Sequence, residues 1–167
     1  MNIHFTRLAT GFPEPLVLPE DTDESYRVFH ASAYADFRNC YLNQDISSIE
    51  QSDPASAKHA RKGLIQLNEN AYHGLPLEGF YSSTACHESG FRIQNAHKTV
   101  DVNVLRIRKS AVRIYWCYMN HSKAIMVLRI LTKREDSNLH QNPKIKEIGD
   151  ALLPFFNNPK GFQERII

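Results

Sequence analysis

A chain of 167 residues, 42% of them hydrophobic and 23% charged, has enough apolar content to bury one core and is not the composition of a disordered polymer. No apolar run approaches the ~20 residues that span a bilayer, which argues against a membrane partner. The first residues lack a basic stretch leading into an apolar one, so a cytoplasmic protein without a signal peptide is expected.

The net charge of +2 conceals an asymmetry. Residues 1–100 carry 8 Lys/Arg against 12 Asp/Glu, whereas residues 101–167 carry 12 against 6. A basic half suits a polyanionic partner, because Lys and Arg that neutralise phosphates release condensed counterions. Charge alone fits a solvated surface equally well. Cys40, Cys86 and Cys117 are far apart and form no CxxC pair, which argues against a zinc ribbon or a dithiol site. The eight histidines show no HxxxH or HExxH spacing, and no metal or other cofactor is expected.

Residues 1–25 differ from the rest. Pro13, Pro15 and Pro19 punctuate them and Glu20, Asp21, Asp23 and Glu24 close them, so they read as an N-terminal extension to a domain over residues 26–167. Only the stretch IHFTRL has the character of a short strand. The extension is expected to add little to the core.

Tyr26–His30 has strand composition. Ser32 supplies an N-cap for a helix over Ala33–Leu42, with Tyr34, Phe37 and Tyr41 on one face, and the polar stretch Asn43–Pro54 reads as a loop. Asp53-Pro54 then opens a second helix that ends at Gly74, with Leu64, Leu67 and Ala71 as its buried stripe. From Gly79 the period changes to two. FYSSTA and FRIQNA read as strands, followed by Val102–Lys109, Val112–Tyr118 and Ala124–Leu131, with Asn120-His121-Ser122-Lys123 as a hairpin turn. The last two strands are almost wholly apolar, as central strands covered on both faces are. KIKEIGDALLPFF closes the chain as a short helix. The expected fold is α+β: a helical hairpin on one face of an antiparallel meander sheet, with a short C-terminal helix.

Basic residues gather at the strand ends. Arg106 and Arg108 alternate on one face of their strand, Lys109 ends it, Arg113 opens the next, and Lys133-Arg134 follows the third, with His140 beyond. Arg106, Arg108, Arg113 and Arg134 are expected to line one concave face, with a histidine at its rim. Such a cleft clamps a phosphodiester and moves a proton. Each residue also has a plainer role: Arg113 and Arg134 as anchors of sheet to helix, His140 as a loop residue, and Tyr115, Trp116 and Cys117 as core. His87 and His97 are candidates for reading RNA, although no spacing sets them apart from ordinary surface histidines.

The block LRIRKSAVRIYWCYMNHSKAIMVLRILTKREDSNLH resembles the closing half of RelE-superfamily toxins. In that family a basic strand, a strand opened by arginine, an apolar strand and a KRE-x-S segment follow one another. The resemblance implies the RelE-like fold and a toxin of a type II toxin–antitoxin system that cleaves mRNA, on or off the ribosome, without metal. It implies catalytic roles for Arg113, Arg134 and His140, with Arg106, Arg108, Lys109 and Lys133 binding RNA, and a cognate antitoxin as protein partner. Val104 stands where the family has a second basic residue. The related ParE branch, which binds DNA gyrase and is not a nuclease, is the alternative, as is a non-catalytic binding domain of the same fold.

Overall fold

The computed structural model describes residues 2–14, 18, 21–137, 139 and 142–167. Six strands, β1 (His4–Arg7), β2 (Arg27–Ser32), β3 (Cys86–Gln94), β4 (Asp101–Lys109), β5 (Val112–Tyr118) and β6 (Ala124–Thr132), form one sheet in the order β1-β2-β6-β5-β4-β3. All neighbours are antiparallel except β2 and β6. β3 to β6 form the expected meander, with β5 and β6 in the interior of the sheet. The helices are α1 (Leu8–Gly11), α2 (Tyr41–Ser52), α3 (Pro54–Ala71), α4 (Lys133–Asp136), α5 (Pro143–Leu152) and α6 (Pro159–Glu164). The architecture is therefore α+β, with the α2–α3 hairpin against a mostly antiparallel sheet and helices at the C-terminal end.

Alternation along the strands assigns two cores. Ile114 and Trp116 of β5 pack with Leu42, Ile46 and Ile49 of α2 and with Leu64 and Leu67 of α3. Tyr115 and Cys117 turn the other way and meet Ile145, Ile148 and Leu152 of α5 and Phe162 of α6. Helices thus cover both faces, which corrects the expectation of one covered face: the apolar stripes of α5 and α6 need a partner surface, and only the second sheet face offers one. α3 lies close on β5, since a Cβ at Gly63 would stand 2.6 Å from Ile114 Cδ1. The β5–β6 turn places Ser122 and Lys123 at φ 62° and 43°.

Several local expectations change. The first helix is not Ala33–Leu42. β2 runs through Ser32, whose hydroxyl donates to the Tyr34 carbonyl, and Tyr34 is 67% exposed. Helix α2 instead occupies the stretch read as a loop, because Leu42, Ile46 and Ile49 make a thin stripe among polar residues. Residues of FYSSTA lie in a short 3₁₀ helix and turns, and FRIQ belongs to one long β3 whose register shifts between Glu88 and Arg92. Asp53 caps α3 as expected, accepting from the Ser56 N–H at 3.2 Å.

The N-terminal residues do not stand outside the core. Ile3, Phe5, Leu8 and Phe12 are buried, and β1 pairs with β2. Phe5 also exchanges backbone hydrogen bonds with the C-terminal tail: its N–H donates to the Arg165 carbonyl, and its carbonyl accepts from Ile167, both at 2.9 Å. Its ring lies against Phe155 and Phe162, with centroids 5.1 and 4.7 Å away. Phe5→Ala should therefore lower the unfolding free energy by about 3–5 kcal/mol, measured in urea, the range for truncating a buried aromatic.

His30 on β2 is fully buried and held neutral, its pKa pushed down to about 4 by burial, against the Gly11 carbonyl that its Nε2 meets at 3.3 Å. The unfolded chain takes up a proton at this residue below its ordinary 6.5. A depressed histidine pKa means stability is full above 6.5 and is lost as pH falls towards 4, by about 3 kcal/mol. The pH dependence of urea unfolding should be shallower over this window in His30→Gln than in the wild-type protein.

Candidate functional site

Along β4 the residues facing α5 change from apolar to basic: Val102 and Val104 are buried, Arg106 is half-buried and Arg108 is exposed. The basic end therefore lies on the second sheet face where the C-terminal core gives way to solvent. Strand register builds the site across it. His87 pairs with Arg106, Arg106 with Tyr115, and Tyr115 with Arg129, so one polar row crosses β3, β4, β5 and β6. Arg108 pairs with Arg113 one step further out.

Asp136, at the end of α4, gathers these groups. Its carboxylate accepts from Arg106 Nη1 at 2.6 Å and from the Tyr115 hydroxyl, and Arg113 Nε stands 3.7 Å away. The other end of the Arg106 guanidinium, Nη2, meets His87 Nε2 at 2.8 Å. His87 Nδ1 is 2.8 Å from the Glu88 carbonyl, so Nδ1 carries the donor proton and Nε2 accepts from Arg106. Arg113 is 3% exposed and donates through Nη1 to the carbonyls of Ser110 and Val112.

The electrostatics follow from this placement. Burial, then the neighbouring Arg108, lowers the pKa of Arg113 against the pull of Asp136. Burial and donation to Asp136 raise the Tyr115 hydroxyl, so Tyr115 keeps its proton and serves as a hydrogen-bond donor. The thiols are inert for the same reason: burial pushes Cys40 and Cys86 up to about 11, and raises Cys117 as well. Cys117 is a core residue, as expected.

The remaining expected residues go elsewhere. Arg134 does not join Arg106, Arg108 and Arg113. Thr132 and Glu135 form a capping box that fixes α4 as one helical turn, and residues two apart on a helix point to opposite sides. With Asp136 directed to the arginines, Arg134 lines a different cleft of about 350 Å³, with Ile49, Ser52, Ser56 and Lys133. Lys133 and Arg134 are both exposed. Lys109 lies on the α3 side of the sheet, with Nζ 3.4 Å from Gln66 Oε1. His140 lies outside the described residues. Sequence reasoning missed Asp136 and Arg129, offered His87 for reading RNA but not as a partner of Arg106, and weighed Tyr115 as core or base-stacking platform but not as a donor to Asp136. Pairing β4 against β5 from the Lys109–Val112 turn would have put Tyr115 opposite Arg106.

Beyond Tyr115 the row ends in an ion pair. Arg129 donates to Asp45 of α2 through Nε at 2.9 Å and Nη2 at 2.6 Å, and the Ile130 N–H donates to the same carboxylate at 2.9 Å. Both side chains are buried, and Arg129 also lies over the Tyr41 ring at 4.9 Å. Burial raises the Asp45 pKa, opposed by Arg129, the Ile130 N–H and Lys144.

No protein-family model, curated protein or solved structure matches this chain. Among the described residues, no helix is long and apolar enough to cross a membrane, and no group of three or more His, Cys, Asp or Glu side chains could hold a metal ion.

Removing Arg129 alone leaves a buried, unpaired carboxylate at Asp45. Arg129→Ala should cost about 3–5 kcal/mol in urea unfolding, and Arg129→Met with Asp45→Leu should recover most of that loss.

Proposed function

We propose that the chain is a metal-independent endoribonuclease, acting as the toxin of a type II toxin–antitoxin system on mRNA. The observation that carries this reading is the convergence of Arg106, Arg108 and Arg113 from two paired strands at the open end of a sheet face, with an imidazole beside them. Two further features support it: the order strand, helical hairpin, meander, and the KRE-x-S segment directly after the apolar strand β6.

In this mechanism the arginines bind the non-bridging oxygens of the scissile phosphate and offset the charge that grows on them. The ribose 2′-oxygen attacks phosphorus in line and gives up its proton, and the P–O5′ bond breaks. The departing 5′-oxygen takes a proton, leaving a 2′,3′-cyclic phosphate. His140, by the resemblance, exchanges a proton. Arg134 completes the charge stabilisation once RNA is bound, which requires its side chain to swing from the cleft that it lines in the free chain.

One observation favours the ParE-like reading instead. Arg106 and Arg113 already pair with Asp136, and Arg134 points away, as structural arginines of a gyrase-binding protein would.

The test is RNA cleavage by the full chain in excess chelator, with and without ribosomes, alongside growth arrest on expression. Arg108→Ala and Arg134→Ala should each slow cleavage by about 10²–10³, and His140→Ala by about 10²–10⁴, with folding retained. Growth arrest that persists undiminished in a folded Arg134→Ala/His140→Ala protein, together with inhibited gyrase supercoiling, would favour the interaction reading.

A further inference from the structure

The guanidinium groups of Arg106 and Arg113 share one carboxylate, that of Asp136, and Arg108, paired with Arg113, adds a third positive charge beside them. The balance is incomplete in its hydrogen bonds as well as its charge. The Nε–H groups of Arg106 and Arg113 are buried and have no acceptor among the described residues. The 3.7 Å from Arg113 Nε to Asp136 is too long for a hydrogen bond. Buried N–H donors on a cation ordinarily find an acceptor. Two that do not, beside surplus positive charge, leave donor capacity that one carboxylate does not use.

Asp136 is also attached differently from the groups it binds. The arginines, Tyr115 and His87 project from paired strands, whereas Asp136 ends a single helical turn whose Lys133 and Arg134 are exposed. That turn is held by Thr132 and by the pair of Glu135 with Lys144 at 3.0 Å. Asp136 is therefore carried outside the strand ladder, on an element closed by its own capping box.

We propose that Asp136 is an intramolecular competitor for the phosphate subsite: it holds Arg106 and Arg113 in the free chain and gives way to an RNA phosphodiester. This rests on the reading of the arginine cluster as the RNA-binding site, and makes Asp136 the residue that sets the affinity of that site. Tyr115 is the positioning residue that keeps Asp136 in place. A site that is competent only when the competitor has left binds with affinity reduced by the competent fraction.

The experiment measures binding of a non-cleavable 2′-O-methyl RNA oligonucleotide to the full chain, with thermal midpoints recorded on the same samples. Asp136→Asn keeps the shape of the side chain and removes its charge. It should tighten binding about tenfold, as expected if the competitor leaves about a tenth of the population open. Tyr115→Phe, which loosens Asp136 without altering charge, should tighten binding in the same direction by a smaller factor. Equal or weaker binding by folded Asp136→Asn overturns the proposal, as does weaker binding by Tyr115→Phe where Asp136→Asn fails to fold. Cleavage of unmodified RNA, followed in parallel, separates the two readings. Tighter binding by Asp136→Asn with no cleavage by either protein upholds the competitor and rejects the nuclease. Cleavage by the wild type with unchanged affinity in the variant does the reverse, and absence of RNA binding by both proteins rejects both.

Discussion

The buried pair of Arg129 and Asp45 is the constraint on which the arrangement of the sheet and its helical hairpin depends. Helix α2 has only a thin apolar stripe, and Asp45 sits within it, 2% exposed. Taking that carboxylate out of water is costly unless its oxygens are bonded and its charge is paired. Arg129 and the Ile130 N–H meet both needs, and both lie on β6. Apolar side chains alone would let α2 slide along the sheet. The bidentate pair and the added backbone bond fix one position.

The pair in turn depends on an irregularity in the sheet. The β5–β6 register shifts between Tyr115 and Trp116, so that Tyr115 pairs with Arg129 while Trp116 pairs with Val127. One extra residue is thereby accommodated in β6, and the alternation reverses. Val127 faces the α2–α3 core and Leu128 the other, yet Ile130 faces the α2–α3 core and Leu131 the other. Such a bulge re-aims side chains and adds twist. Here it lets an arginine lie in a central, covered strand, beside the polar row that ends in His87. The pair at one end of this row and the Asp136 cluster at the other are thus parts of one cross-strand arrangement. A structural carboxylate closes the buried end, and a surface turn carries the carboxylate at the open end.

Much of the meander was legible in the sequence. The apolar runs of β5 and β6, the two turns and the helix opened by Asp53-Pro54 are set by local chemistry: strand composition, turn residues, and a cap followed by proline. The alternation of Arg106 and Arg108 also follows from the period of a strand. Helix α2 was harder to read, because polarity between Leu42, Ile46 and Ile49 suggests a loop when only composition is weighed. The strand character of IHFTRL was legible and β1 matches it, but its burial was not, since nothing local reveals that Phe5 finds Phe155 and Phe162 more than a hundred residues away.

By itself, the sequence determined the last three strands, the turns between them, the helix opened by Asp53-Pro54, and that the cations concentrate in the second half of the chain. These are properties of neighbours in the chain, fixed by backbone sterics and side-chain periodicity. Only the tertiary structure decided which cations stand together. Arg134 and Asp136 are two residues apart, yet one helical turn sends them to opposite sides, and Asp136 meets Arg106 from thirty residues away. Whether a guanidinium is free or paired depends on where a carboxylate arrives through folding, and no local pattern around Arg106 or Arg113 encodes that arrival.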